Sequence, residues 1–156
     1  MQRISTVSFA LVPLSEDDQV LSIVPVVDEV LLTRLIEDFE RECRFEPAGG
    51  YAGLVPSHFN FGPLDRYFMA ADTTATLVPD HHYLLGCKCG EVGCWPLEAR
   101  ILATERQVTW EGFRQPFRRE RDYSLFGCFN FDLGQYRQAI HEMASAFAAS
   151  SRSAPE

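Results

Sequence analysis

Lysine is almost missing from this 156-residue chain: Lys88 stands alone among 14 basic residues, the rest being arginine. That bias marks a GC-rich coding sequence and not a physical adaptation. Long hydrophobic runs are missing too. No stretch approaches the roughly 18 to 20 apolar residues that a membrane span needs, so no membrane partner is expected. The apolar stretch from Ile4 to Leu14 is interrupted by Ser5, Thr6, Ser8 and Pro13. Glu16-Asp17-Asp18 follows it, where a secretory signal would carry a small-residue cleavage site. A cytoplasmic setting is therefore the expectation. Thiols there are reduced or metal-bound, and the chain's 5 cysteines, an odd number, suit no closed disulfide framework.

The familiar catalytic frames are absent as well. No Gly-x-x-x-x-Gly-Lys-Ser/Thr phosphate loop exists, and Gly49-Gly50-Tyr51-Ala52-Gly53 lacks the strand-to-helix context of a dinucleotide site. No Gly-x-Ser-x-Gly elbow occurs, and His58, His81, His82 and His141 stand in no familiar relation to a serine or cysteine nucleophile. Binding, not turnover, is the expectation. A formal net charge of −8 and a pI near 5.0 repel phosphate backbones, so no nucleic-acid partner is expected.

What is present reads as one α+β domain. Hydrophobic residues make up 46% and charged residues 23% of the chain, an ordinary globular balance. Residues 3–12 alternate and are rich in β-branched types, which predicts a strand ending at Pro13; Val20 to Val27 predicts a second, bulged at Pro25. Between them, Glu16-Asp17-Asp18 reads as a polar turn. Leu32, Leu35, Ile36, Phe39 and Cys43 recur at spacings of three and four, predicting an amphipathic helix. Cys43 belongs to its apolar stripe as a small core residue, with Thr33, Arg34, Glu37, Asp38, Glu40 and Arg41 on the solvent side.

From Phe45 to Tyr67 glycine, proline and aromatics predict a long irregular loop that packs down through its rings. Thr73–Val78, Tyr83–Cys87, Leu97–Thr104, Val108–Phe113 and Tyr123–Phe131 are strand candidates. Asp132 then caps a second helix with the stripe Leu133, Tyr136, Ile140, Met143 and Phe147. The fold class expected is α+β, an antiparallel β-meander packed with two amphipathic helices, as a single domain over residues 1–149 with a polar tail at 150–156.

Chemistry concentrates in Cys87-Lys88-Cys89-Gly90-Glu91-Val92-Gly93-Cys94, where three of the five cysteines meet at a glycine-rich reversal. Three readings are open. The thiols pack as small apolar groups around a tight turn, the reading taken as primary. Alternatively they bind zinc, structurally or hydrolytically, which favours four thiolate or imidazole ligands. Cys87, Cys89 and Cys94 then need a fourth from elsewhere: His82 is taken as the candidate, while His81, His58 and Cys128 are not separated from it by spacing. Redox exchange is the third, disfavoured because the Cys-x-x-Cys spacing and its βαβ context are missing. Unless zinc binds, no cofactor is expected.

The acidity is uneven: eleven acids and four arginines up to Asp65, then eleven acids and ten bases. Phe113 to Tyr123 interleaves aromatics with Arg114, Arg118, Arg119 and Arg121, which an ion-pair network with the acidic 37–46 helix would explain. With Tyr51 and Phe61 of the aromatic loop, Arg114, Arg118 and Arg119 are the expected contact residues for a protein partner. Such an acidic domain suits an inhibitor or immunity-like role toward a basic protein, since complementary charge speeds association.

A resemblance joins these features. Leu84 to Leu97, Val108-Thr-Trp-Glu-Gly-Phe113, Gln115-Pro116 and Phe129-Asn-Phe-Asp132 with Gln135-Tyr136 resemble an uncharacterised family of bacterial hypothetical proteins with a Cys-x-Cys-Gly-x-x-Gly-Cys hairpin. The resemblance implies a bacterial, cytosolic protein and no particular activity.

Overall fold

The computed structural model describes residues 3–14, 17–70 and 81–153. Its strands are β1 (Ile4–Ser5), β2 (Val7–Leu14), β3 (Asp17–Val27), β4 (Val30–Leu31), β5 (Tyr51–Ala52), β6 (His82–Cys87), β7 (Leu97–Ala103), β8 (Gln107–Arg114) and β9 (Phe129–Asp132). Helices α1 (Leu32–Glu42), α2 (Leu64–Tyr67) and α3 (Leu133–Ser153) complete the described chain. The α+β class holds, but a simple meander does not. One sheet of six strands runs β1-β9-β8-β7-β6-β5 and is mixed, because β1 pairs parallel to β9. A second sheet is the β2-β3-β4 ribbon.

The predicted first strand divides at Thr6, where the chain changes sheets. Asp28 stabilises that break: its Oδ1 accepts from the Thr6 amide at 2.9 Å and its own amide donates to the Thr6 carbonyl at 2.9 Å. Gln135 of α3 then stands in for a strand partner of Val7, accepting from its amide at 3.0 Å and donating to its carbonyl at 2.6 Å. Pro13 does not end β2; it pairs with Leu21 inside a ribbon, where a missing amide is tolerated toward an edge. Of the turn predicted at 16–18, Asp17 and Asp18 belong to β3, and Glu16 lies outside the described residues. The strand expected at Thr73–Val78 lies outside the described residues.

Helix α1 ends in a C-terminal wrap closed by Arg44 at φ 61°, with Phe45 donating to the Glu40 carbonyl at 2.9 Å and Arg44 to the Arg41 carbonyl at 3.0 Å. The wrap folds Phe45 back onto Phe39, ring centroids 6.4 Å apart. Two expectations for this helix are corrected. Cys43 is exposed, because the helix terminates before its stripe position is covered. Glu40, expected on the solvent side, is fully buried.

At the other end of the chain, Asp132 caps α3 as expected, its Oδ2 accepting from the Gln135 amide at 3.0 Å. The helix packs on β2, β8, β9 and α2 and continues to Ser153. Beneath it Trp110 and Tyr136 are fully buried and joined, indole to phenol, at 3.1 Å, and the phenol donates to the Phe68 carbonyl at 2.6 Å. Buried polar tips thus find partners inside the core, as their desolvation requires.

One glycine ties the two sheets. Ile23 and Leu54 exchange backbone hydrogen bonds at 2.7 and 3.0 Å just past β5. A Cβ on Gly53 would stand 2.5 Å from the Ile23 carbonyl oxygen, so only glycine permits this approach. The last strand is also shorter than predicted: residues 123–128 form a loop and β9 covers only Phe129–Asp132.

Candidate metal centre and the buried carboxylate beside it

Strand β6 carries Cys87 at its end, opposite Tyr51 of β5. The chain then turns twice. Gly90 donates to the Cys87 carbonyl at 2.9 Å, and Cys94 donates to the Glu91 carbonyl at 3.2 Å. Val92, only 7% exposed, pins the second turn against β6. These reversals return Cys94 over Cys87, and the ligand atoms of Cys87, Cys89 and Cys94 all lie within 4.8 Å of one another. A tetrahedral zinc with Zn–S bonds near 2.3 Å holds its sulfurs about 3.8 Å apart, so the three thiols need only a small contraction to share one ion.

The sulfurs do not pack into the core. Cys89 and Cys94 are exposed and Cys87 is half-buried, and all five cysteines are free thiols. The Cys89 amide donates to the Cys87 sulfur at 3.4 Å, an arrangement that favours the thiolate a metal requires. Hydrogen bonding from the backbone at Glu91, then from the Cys87 side chain, holds the Cys89 thiol below its usual range. Burial pushes Cys87 up to about 11. The exposed Lys88 lies between these two cysteines in sequence.

The double turn is braced from three sides. Lys88 donates its backbone amide to Gly50 at 3.2 Å. Trp95 donates its indole N–H to the Gly49 carbonyl at 3.0 Å. His58 bonds the Gly90 carbonyl through Nδ1 at 3.0 Å.

Beyond Trp95 lies a second polar cluster that the sequence reading placed on the surface. Glu40 accepts from the Gly49 amide at 2.8 Å, the Tyr51 hydroxyl at 2.8 Å, the Tyr123 hydroxyl at 2.6 Å and Arg121 at 3.1 Å. Gln115 adds a bond to the Tyr51 hydroxyl at 3.2 Å. Burial pushes both phenols well above their usual range. The Arg121 guanidinium also lies 5.0 Å from the Phe45 ring centroid and bonds the Pro47 carbonyl at 2.8 Å. Four bonds to one carboxylate staple α1, the 44–51 loop and the 115–126 loop together. The expected pairing of the arginine segment with the acidic helix therefore exists, through Arg121 and Glu40. Only the spacing Arg121-x-Tyr123 beside an acidic helix hinted at it.

The remaining candidates fall in different places. His82, expected as the fourth metal ligand, begins β6 and packs its ring 5.7 Å from that of Tyr67. The strand between it and Cys87 spans about 16 Å, and it is not in the thiol cluster. His81 meets the Gly112 carbonyl at 2.9 Å, and Cys128 accepts a weak bond from Asn130 at 3.8 Å.

Of the expected partner contacts, Tyr51 is buried under Glu40, a correction that follows from its hydroxyl being needed there. Phe61 is half-buried on Phe59 and Tyr67. Arg118 stacks on Trp95 at 5.0 Å, while Arg114 and Arg119 remain exposed along a cleft that also carries Glu111, Glu120 and Asp122. No helix among the described residues is long and apolar enough to cross a membrane.

No family model matches this chain, and no curated protein or solved structure matches it either.

Proposed function

We propose that this chain is a zinc-binding protein whose ion is held at the tip of the β6–β7 hairpin by Cys87, Cys89 and Cys94. One observation carries the reading: three free thiols converge within 4.8 Å on a turn braced from three sides. A set of thiolates selects zinc or another thiophilic ion over magnesium or calcium. Glycine at 90 and the amide-to-sulfur bond at Cys87 are what a knuckle-like thiolate turn uses. The role is binding, with the ion fastening the hairpin tip to its surroundings.

Metal analysis of protein purified without chelator tests the reading. About one zinc per chain is expected, from the one cysteine cluster among the described residues. It should be lost in Cys89→Ser and Cys94→Ser. No bound metal, with three thiols titrating freely in the native protein, would overturn the proposal.

A protein partner is the second reading, favoured by a specific feature of the 115–126 loop. Leu125 is 87% and Phe117 45% exposed, beside the exposed Arg114 and Arg119. Large apolar side chains set among arginines are what an interface anchor looks like. Cross-linking with and without Leu125→Asp separates this reading from a surface of no consequence, since only a docking surface loses its adduct.

A further inference from the structure

We infer that His58 supplies the fourth ligand to that ion, so that loading moves its exposed imidazole, carried by the 56–62 loop, onto the hairpin tip; the inference rests on the zinc reading. His58 reaches the cysteine turn from a distant part of the chain, and its contact there is specific. The Gly90 carbonyl can only accept, so the Nδ1 atom 3.0 Å away must carry the imidazole proton. That tautomer leaves the lone pair on Nε2. Metal-bound histidines are arranged in this way, one nitrogen donating to a backbone carbonyl while the other binds.

Gly90 makes room for the ring. Its φ of 98° lies in the left-handed region, and a Cβ there would stand 2.9 Å from His58 Nδ1 and 2.9 Å from Leu14 Cδ2. Any other residue at 90 would displace the imidazole from the carbonyl that orients it. The glycine between Cys89 and Glu91 therefore serves both the turn and the approach of the histidine.

The competing donors are committed or displaced. His81 is engaged with Gly112, His82 lies at the far end of β6, and Cys128 is bonded by Asn130. Glu91, exposed within the turn, is the nearest rival. His58 is itself exposed and stands outside the three-sulfur group. Ligation therefore takes a local movement of the imidazole toward the sulfurs, out of a turn in which the Val55 carbonyl accepts from the His58 amide at 3.0 Å and the Phe59 ring packs 4.7 Å from that of Phe61. It would fasten the aromatic loop to the hairpin through the ion, completing a Cys₃His site of the structural kind.

Cobalt(II) titration of the whole chain, read by visible absorption, tests this with the wild type, His58→Ala and Glu91→Gln. The wild type should give a tetrahedral spectrum with thiolate charge transfer. His58→Ala should keep the charge transfer, lose at least about 10-fold in affinity and change its ligand-field bands, because removal of a direct ligand costs no less than removal of an outer-shell one. Added imidazole should restore the wild-type bands in that variant, which a merely structural loss would not allow. Glu91→Gln should bind like wild type.

Hydrogen exchange should show residues 56–62 gaining protection with zinc in the wild type and in Glu91→Gln, and not in His58→Ala. An unchanged spectrum and affinity in His58→Ala overturns the inference while leaving the tris-thiolate reading intact. Failure of the wild type to bind cobalt at all overturns both.

Discussion

The Glu40 cluster and the Cys87–Cys94 turn lie on either side of Trp95, and they handle their lone pairs in opposite ways. Glu40 is fully buried and takes four hydrogen bonds from four separate residues, so its charge is spent inside the fold. The three thiols lie within 4.8 Å of one another, two of them exposed, and the backbone bonds they receive come from within their own turn, at Cys87 and at Cys89. A saturated buried carboxylate is a staple. Converging donors left open to solvent keep their lone pairs available. Trp95 belongs to both, following Cys94 in the chain and bonding Gly49, whose amide binds Glu40.

The largest effect should come from the staple. Glu40→Ala leaves Arg121 buried without its partner and is expected to cost about 3–5 kcal/mol in urea unfolding. A loss below 1 kcal/mol, on the order of a surface ion pair, would mean that the cluster is not the staple described. Adding zinc to metal-free protein, at about a hundred times its Kd, should raise stability by about 2.7 kcal/mol through binding the native state alone. That gain should vanish in the Cys87→Ser/Cys89→Ser/Cys94→Ser variant.

Tyr123→Phe removes the 2.6 Å bond to Glu40 and should cost about 1.5–3 kcal/mol, the range for bonds to a charged group. The triple serine variant, measured metal-free, should stay within about 0.5 kcal/mol of wild type, since the thiols support little packing. A large loss there would restore the view of the cysteines as scaffolding.

The smallest difference is one of rate. In metal-free protein, labelling by iodoacetamide as the pH is raised from 6 should reach Cys89 first. Its thiol is held low by the bond from the Glu91 backbone, whereas burial pushes Cys87 up to about 11. A thiol with a lowered pKa becomes thiolate at lower pH, so Cys87 should lag until the solution is strongly alkaline. Peptide mass spectrometry checks the order, and equal labelling of the two would contradict it.

How much of this was legible from residues alone differs between the two regions. The cysteine turn was visible because its three cysteines fall within eight consecutive positions and the glycines between them announce a reversal. Local spacing is enough for a local site. His58 was one name among several, because its approach depends on how the 45–67 loop returns across β2 and the hairpin. Glu40 was misplaced for the same reason. Helical periodicity assigned it to the polar face, and nothing near it in sequence announced that Tyr51, Arg121 and Tyr123 would arrive from 11, 81 and 83 residues away.

Periodicity, proline and glycine positions and the Asp132 cap were sufficient for most strands, for both long helices and for the existence of a sulfur-bearing hairpin, because each depends on interactions between near neighbours in the chain. The division of the first strand at Thr6, the parallel β1–β9 pairing, the burial of one glutamate among seemingly solvated ones and the meeting of His58 with Gly90 were decided only by the folded structure. Each of those depends on closing a long loop, and its free energy comes from partners that no local pattern records.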